Sequence, residues 1–206
     1  LVQFTDDSFL GISAKSTKKK GEIGFKNPGV GAIGRALGIN LPGVVAETAQ
    51  MQLQALGIDK MGAKQRKAHI RANPEIRVKT VETGKIILNM LRDFLLNHFQ
   101  GLTDEELREH CVKNWLDAEG IYPYYIKATG QGNPTRGYSA KILDPIKNEQ
   151  YKTLMSEDIE LVPVGNDAIG VLAGGKRIMK MRFKYESEKM ASSLKMSGDP
   201  WKNTKK

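Results

Sequence analysis

Ala168-Ile169-Gly170-Val171-Leu172-Ala173-Gly174-Gly175-Lys176-Arg177-Ile178-Met179-Lys180-Met181-Arg182-Phe183-Lys184-Tyr185 reads as two β-strands joined by a tight turn. Gly174-Gly175 supplies the positive φ angles that a two-residue hairpin needs. Beyond the turn the residues alternate. Met179, Met181, Phe183 and Tyr185 fall on one face, and Lys180, Arg182 and Lys184 on the other. Around this hairpin, residues 121–206 are β-rich. Strand candidates lie at 122–127, where Pro123 marks an edge or an end, and at 138–143, 159–164 and 168–172. Residues 130–134 read as a loop and residues 201–206 as a loose basic tail.

Upstream the periodicity changes to that of helices. Val45, Ala49, Leu53 and Leu56 share one face, residues 61–72 form a basic helix, and Asn73-Pro74 ends it. Residues 78–99 give the clearest helix, with Ile87, Met90, Leu91, Phe94, Leu95 and His98 as its stripe. Thr103 and Glu106 have the spacing of a capping box. Leu107, Cys111, Trp115 and Leu116 are the buried stripe of the helix that follows, and Trp115 reads as core rather than as a platform for bases.

The chain therefore reads as mixed α/β (α+β). A small central sheet with an N-terminal hairpin (residues 1–43, including a glycine-rich loop) precedes a helical segment (44–120) and a β-rich C-terminal part (121–206). One domain is able to hold all three, and no internal repeat is read. Gly29, Gly31 and Gly34 match G-x-G-x-x-G, but a turn at Asn27-Pro28-Gly29 stands where a dinucleotide site needs a strand. Close approach of backbone amides to a phosphate is the better use for these glycines.

Of the 206 residues, 32 are Lys or Arg and 23 are Asp or Glu, giving a net charge of +9. Such a surplus draws polyanions by long-range field and counterion release. Nucleic acid is the commonest such partner, with DNA expected over RNA. No apolar stretch reaches the roughly 18 residues of a membrane span, and residues 1–4 lack the form of a signal peptide. Cys111 is the only cysteine, so neither an intramolecular disulfide nor a cysteine zinc cluster can form. A reducing, cytoplasmic setting is expected. His69, His98 and His110 lack metal-ligand spacing.

Residues 1–16 read as a hairpin: a short strand at 1–4, a turn at Thr5-Asp6-Asp7-Ser8, and a return strand at 9–16 that puts Ser13 and Lys15 on one face. Hydrolysis of a phosphodiester needs a metal held by carboxylates, an activated water, and a cation near the developing charge. With its acidic turn and the triplet Ser13-Ala14-Lys15, the hairpin resembles the PD-(D/E)XK nuclease superfamily, which includes many restriction endonucleases. The resemblance covers about the first 25 residues.

It implies Mg²⁺-dependent cutting of DNA, with Lys15 at the attacked phosphate or its water and Ser13 supporting the metal shell. Glu22, Asp6 or Asp7 would bind the metal. The usual Glu of the triplet is Ser13 here, and Glu22 is the nearest replacement. The chain begins at Leu1 rather than Met, on a strand-like run, so the natural start is read as lying upstream; the family's first Asp is expected just before that strand. A homodimer is among the assemblies the resemblance allows.

Three basic groups surround these readings. Lys18, Lys19 and Lys20 adjoin the hairpin. Lys64, Lys67 and Arg71 share a helix face at i, i+3, i+7. Lys180, Arg182 and Lys184 repeat roughly every 6.5–7 Å along a strand, close to the separation of neighbouring phosphates. Two functions follow: a metal-dependent endonuclease acting on DNA, or a non-catalytic basic protein that binds nucleic acid within a larger assembly.

Overall fold

Glycines and capping residues set the limits of the helices in this chain. A computed structural model describes residues 2–7, 9–10, 12–17, 27–113, 124–130, 138–143 and 149–201. In chain order the elements are β1 (Val2–Gln3), β2 (Phe9–Leu10), β3 (Ile12–Thr17), α1 (Val30–Ala36), α2 (Gly43–Ala55), α3 (Ala63–Ala72), α4 (Pro74–Gln100) and α5 (Asp104–Cys111). They continue with β4 (Tyr124–Gly130), β5 (Tyr138–Leu143), α6 (Glu149–Ser156), β6 (Ile159–Val164), β7 (Ala168–Ala173), β8 (Lys176–Tyr185) and β9 (Leu194–Pro200). The class is mixed α+β, as the sequence indicates.

Residues 30–36, read as loop from their glycines, are helix. Gly34 has almost no room for a side chain, since a Cβ there would lie 2.6 Å from the Ile39 carbonyl oxygen and 3.1 Å from the Leu41 amide. The glycine therefore serves close packing of backbone on helix, which removes the phosphate-approach reading at this position. The helix ends in a Schellman motif: Gly38 (φ +67°) follows the cap, Ile39 N–H reaches Gly34 O at 2.8 Å, and Gly38 N–H reaches Arg35 O at 3.3 Å.

α2 ends the same way. Gly57 (φ +67°) is followed by Ile58 N–H on Leu53 O at 3.0 Å, and Gly57 N–H reaches Gln54 O at 2.9 Å. Ala36-Leu37-Gly38-Ile39-Asn40 and Ala55-Leu56-Gly57-Ile58-Asp59 are thus one stop signal used twice, a short repeat that periodicity alone does not reveal. In both, the isoleucine that follows the glycine turns back toward the protein, and Ile58 is wholly buried.

Asn73, in extended conformation, separates α3 from α4, and Pro74 occupies the first turn of α4, where its missing N–H costs nothing. α4 starts four residues earlier than its periodicity suggests. Its buried line is Thr80, Gly84, Ile87, Leu88, Leu91, Leu95 and Phe99. Phe94 is exposed and Met90 and His98 are only partly covered, so the helix is rotated from the expected stripe. Lys189 lies across Gly84, where a Cβ would meet its side chain at 2.9 Å.

The capping box forms at α5. Thr103 N–H donates to Glu106 Oε2 at 2.8 Å, and Glu106 N–H to Thr103 Oγ1 at 3.3 Å. Leu107 and Cys111 are buried, while Trp115 and Leu116 lie outside the described residues. Burial pushes the Cys111 thiol up to about 12, so it stays protonated and inert.

β6, β7, β8 and β9 form one antiparallel meander in that order. Gly174 and Gly175 make the β7–β8 turn at φ +53° and +72°. Met179, Met181 and Phe183 on β8, with Ile169, Val171 and Ala173 on β7, are buried in the same cluster as Leu91, Leu95 and Phe99 of α4. β9 pairs with β8 from Met179 to Tyr185; neither β9 nor α6 is among the elements expected from the sequence. The strand expected at 122–127 is β4, shifted to Tyr124–Gly130, so the loop read at 130–134 starts with the last strand residue.

The N-terminal reading needs a correction. β1 and β2 form a short hairpin, with Val2 opposite Leu10 and Gln3 opposite Phe9. The segment carrying Ser13 and Lys15 is a separate strand, β3, which pairs in parallel with β4, and β4 pairs antiparallel with β5. Residues 9–16 are therefore not one return strand. A parallel partner more than a hundred residues away leaves no local trace in a sequence.

Candidate nucleic-acid interface

The β8 meander has two faces because a strand's side chains alternate. The face away from α4 carries Lys180, Arg182 and Lys184, as the sequence indicates. In register with them on β9 are Asp199, Ser197 and Lys195, so Lys184 and Lys195 are direct neighbours. Arg182 is held by Asp199 at 3.2 Å, and Ser197 Oγ donates to the same carboxylate at 3.0 Å. Among the described residues Lys180, Lys184 and Lys195 form no ion pair within 4 Å.

On the β6–β7 half of this face Val162 and Val164 lie beside Gly170 and Ala168, with exposed Glu160 at the start of β6. Trp201 covers Gly170. A Cβ at Gly170 would lie 2.2 Å from the indole, so the missing side chain makes the seat for the ring. Trp201 N–H reaches Ile178 O at 3.2 Å, and the Arg177 guanidinium stands 5.0 Å from the ring centroid, a cation–π distance. Trp201 is therefore not part of a loose tail. Sequence reasoning missed it, and a tryptophan following a Gly-x-Pro strand end was the only signal. Residues 202–206 lie outside the described residues. Aromatic and basic groups side by side on one sheet face can hold a nucleic-acid strand by stacking and by charge.

The α3 patch is different. Lys64 and Arg71 are exposed and Lys67 is partly covered. Across from them runs the β8–β9 connection, residues 186–193. Arg71 Nε bonds Glu188 Oε1 at 2.9 Å, with Arg77 Nε 3.8 Å from the other oxygen. The Arg71 hydrogen bond holds the Glu188 carboxyl below its usual range. Ser193 Oγ donates to Glu186 at 2.6 Å, and that bond, with Lys195 nearby, lowers Glu186 in the same way. The connection is braced by Arg66 Nη1 on Met190 O at 3.3 Å, and Met190 takes a left-handed φ of +61°. Between α3 and this connection lies an open groove of about 590 Å³, lined by Lys64, Lys67, Glu186 and serines. Its charge is mixed, so it is a poorer polyanion surface than β8.

For the hairpin site, Asp6 and Asp7 are exposed in the β1–β2 turn. Asp7 has φ +61° and accepts a hydrogen bond from Gln3 Nε2 at 3.1 Å, which is turn chemistry. Ser13 and Lys15 lie on β3, on one face by register. Glu22, Lys18, Lys19 and Lys20 lie outside the described residues. Among the described residues no three Asp, Glu, His or Cys side chains gather as metal donors. The Mg²⁺ shell that the nuclease resemblance implies is thus not assembled from them. Among the described residues no helix is long and apolar enough to cross a membrane.

No family model, curated protein or solved structure matches the chain.

Proposed function

We propose that this chain binds nucleic acid, DNA over RNA, through the outer face of β8 and β9, as a non-catalytic grip within a larger assembly. One observation carries the reading: β8 divides into a buried apolar face and a basic outer face, which Lys195 extends and Trp201 borders. Contacts of this kind go to phosphates and carry little sequence information.

The test is the salt dependence of binding to a labelled DNA duplex. Lys180→Ala, Lys184→Ala and Lys195→Ala together remove three phosphate partners, and the slope of log K against log salt falls by about two to three. Lys64→Ala with Lys67→Ala, beside the acidic connection, lowers it by less. Retention of the full slope in the β8–β9 triple variant overturns the proposal.

A second reading is the metal-dependent endonuclease, favoured by the register that puts Ser13 and Lys15 on one face of a mixed sheet. It places Lys15 at the attacked phosphate. Its test is cleavage of plasmid DNA with Mg²⁺, Mn²⁺ or EDTA. Metal-dependent nicking lost in Lys15→Ala, with binding retained, supports it. Absence of nicking under all three conditions rejects it for this chain.

A further inference from the structure

The register of the three-stranded sheet brings together residues that no stretch of sequence joins. Lys15 on β3 is opposite Lys127 on β4, and Lys127 is opposite Lys141 on β5. Register partners share a face. Three lysine positions therefore stand side by side across three strands, spanning about 10 Å at the usual strand spacing. The neighbouring row on the same face is Thr17, Thr129 and Ser139, three hydroxyl residues. The remaining row is Ser13, Tyr125 and Leu143, and none of these face positions is acidic. The opposite face is apolar in its middle row: Ala14, Ile126 and Ile142.

Like charges directly opposite one another destabilise a ladder. Two such pairings in one row, flanked by hydroxyls, suit an anion that supplies the missing negative charge. We infer that the Lys15–Lys127–Lys141 row is a second phosphate-binding site, which grips the backbone of a nucleic-acid strand apart from the β8–β9 face. The inference rests on the nucleic-acid reading above. It assigns work to Lys127 and Lys141, and it gives Lys15 a binding role whether or not the chain cuts.

The experiment uses the full chain, a labelled DNA duplex and the variants Lys127→Gln/Lys141→Gln and Lys127→Arg/Lys141→Arg. The glutamine pair lowers the slope of log K against log salt by about two, while its melting temperature holds or rises because like-charged neighbours are gone. The arginine pair keeps the slope. A folded glutamine pair that binds with the full slope overturns the inference, and so does an arginine pair that loses as much as the glutamine pair. Lysine-dependent binding to phosphatidylserine vesicles without binding to DNA also overturns it, in favour of a membrane surface. If the unsubstituted chain shows no salt-dependent DNA binding, the general reading falls too. If only the β8–β9 triple variant loses slope, this inference falls alone.

Discussion

Replacing Phe183 with alanine lowers stability by about 3–5 kcal/mol. Phe183 has no solvent exposure and lies on the inner face of β8, in one cluster with α4. The substitution removes a large ring from a site that β7, β9 and α4 hold open, so little collapse can offset the cavity. Its neighbour Lys184 is on the outer face, and Lys184→Ala changes stability by about 0.5 kcal/mol or less. Urea unfolding followed by circular dichroism measures both. Equal effects at the two positions would mean that β8 does not divide into a core face and a binding face, and the proposed interface would lose its scaffold.

Gly34→Val is the second large effect. A Cβ at this position meets the Ile39 carbonyl oxygen at 2.6 Å and the Leu41 amide at 3.1 Å. Both obstacles are backbone and cannot rotate away as a flexible side chain would. Either α1 separates from the chain that returns over it, or the Schellman bonds at Gly38 and Ile39 break. The cost is about 3 kcal/mol, at the upper end for overpacking. Gly31→Ala is the control, since its nearest contacts are at 3.8 Å, and alanine favours helix over glycine. It leaves the melting temperature unchanged or raises it. A stable Gly34→Val would show that the glycine is not needed for packing and would reopen its reading as a phosphate loop.

The parts of the fold that the sequence made legible are those whose signal is local. Alternation along 176–185 and the glycine pair before it located the central hairpin and its basic face. Thr103 and Glu106 located the start of α5, and Asn73-Pro74 the junction of α3 and α4. β9 was hidden because Ser197, Gly198, Asp199 and Pro200 disfavour strands, and only pairing with β8 holds them extended. α1 was hidden by Gly31 and Gly34, which read as loop until the contact at Gly34 is seen. The candidate site divided in the same way. Lys180, Arg182 and Lys184 were found from one strand's pattern, whereas Lys195, Trp201, Lys127 and Lys141 join their sites only through pairing across strands. The acids that neutralise Arg71 and Arg182, Glu188 and Asp199, were equally out of reach of a linear reading.

An antiparallel sheet ends in two rows of unpaired backbone groups, an invitation to polymerise with another copy. On β9 that invitation is withdrawn by the chain itself: Gly29 bridges to Lys195, and Met196 N–H is taken by Pro28 O at 2.9 Å. On β6, Pro163 removes a donor and exposed Glu160 adds charge. The sheet is thus guarded at both ends against strand-by-strand assembly, and it can carry a charged face at high concentration without seeding fibres.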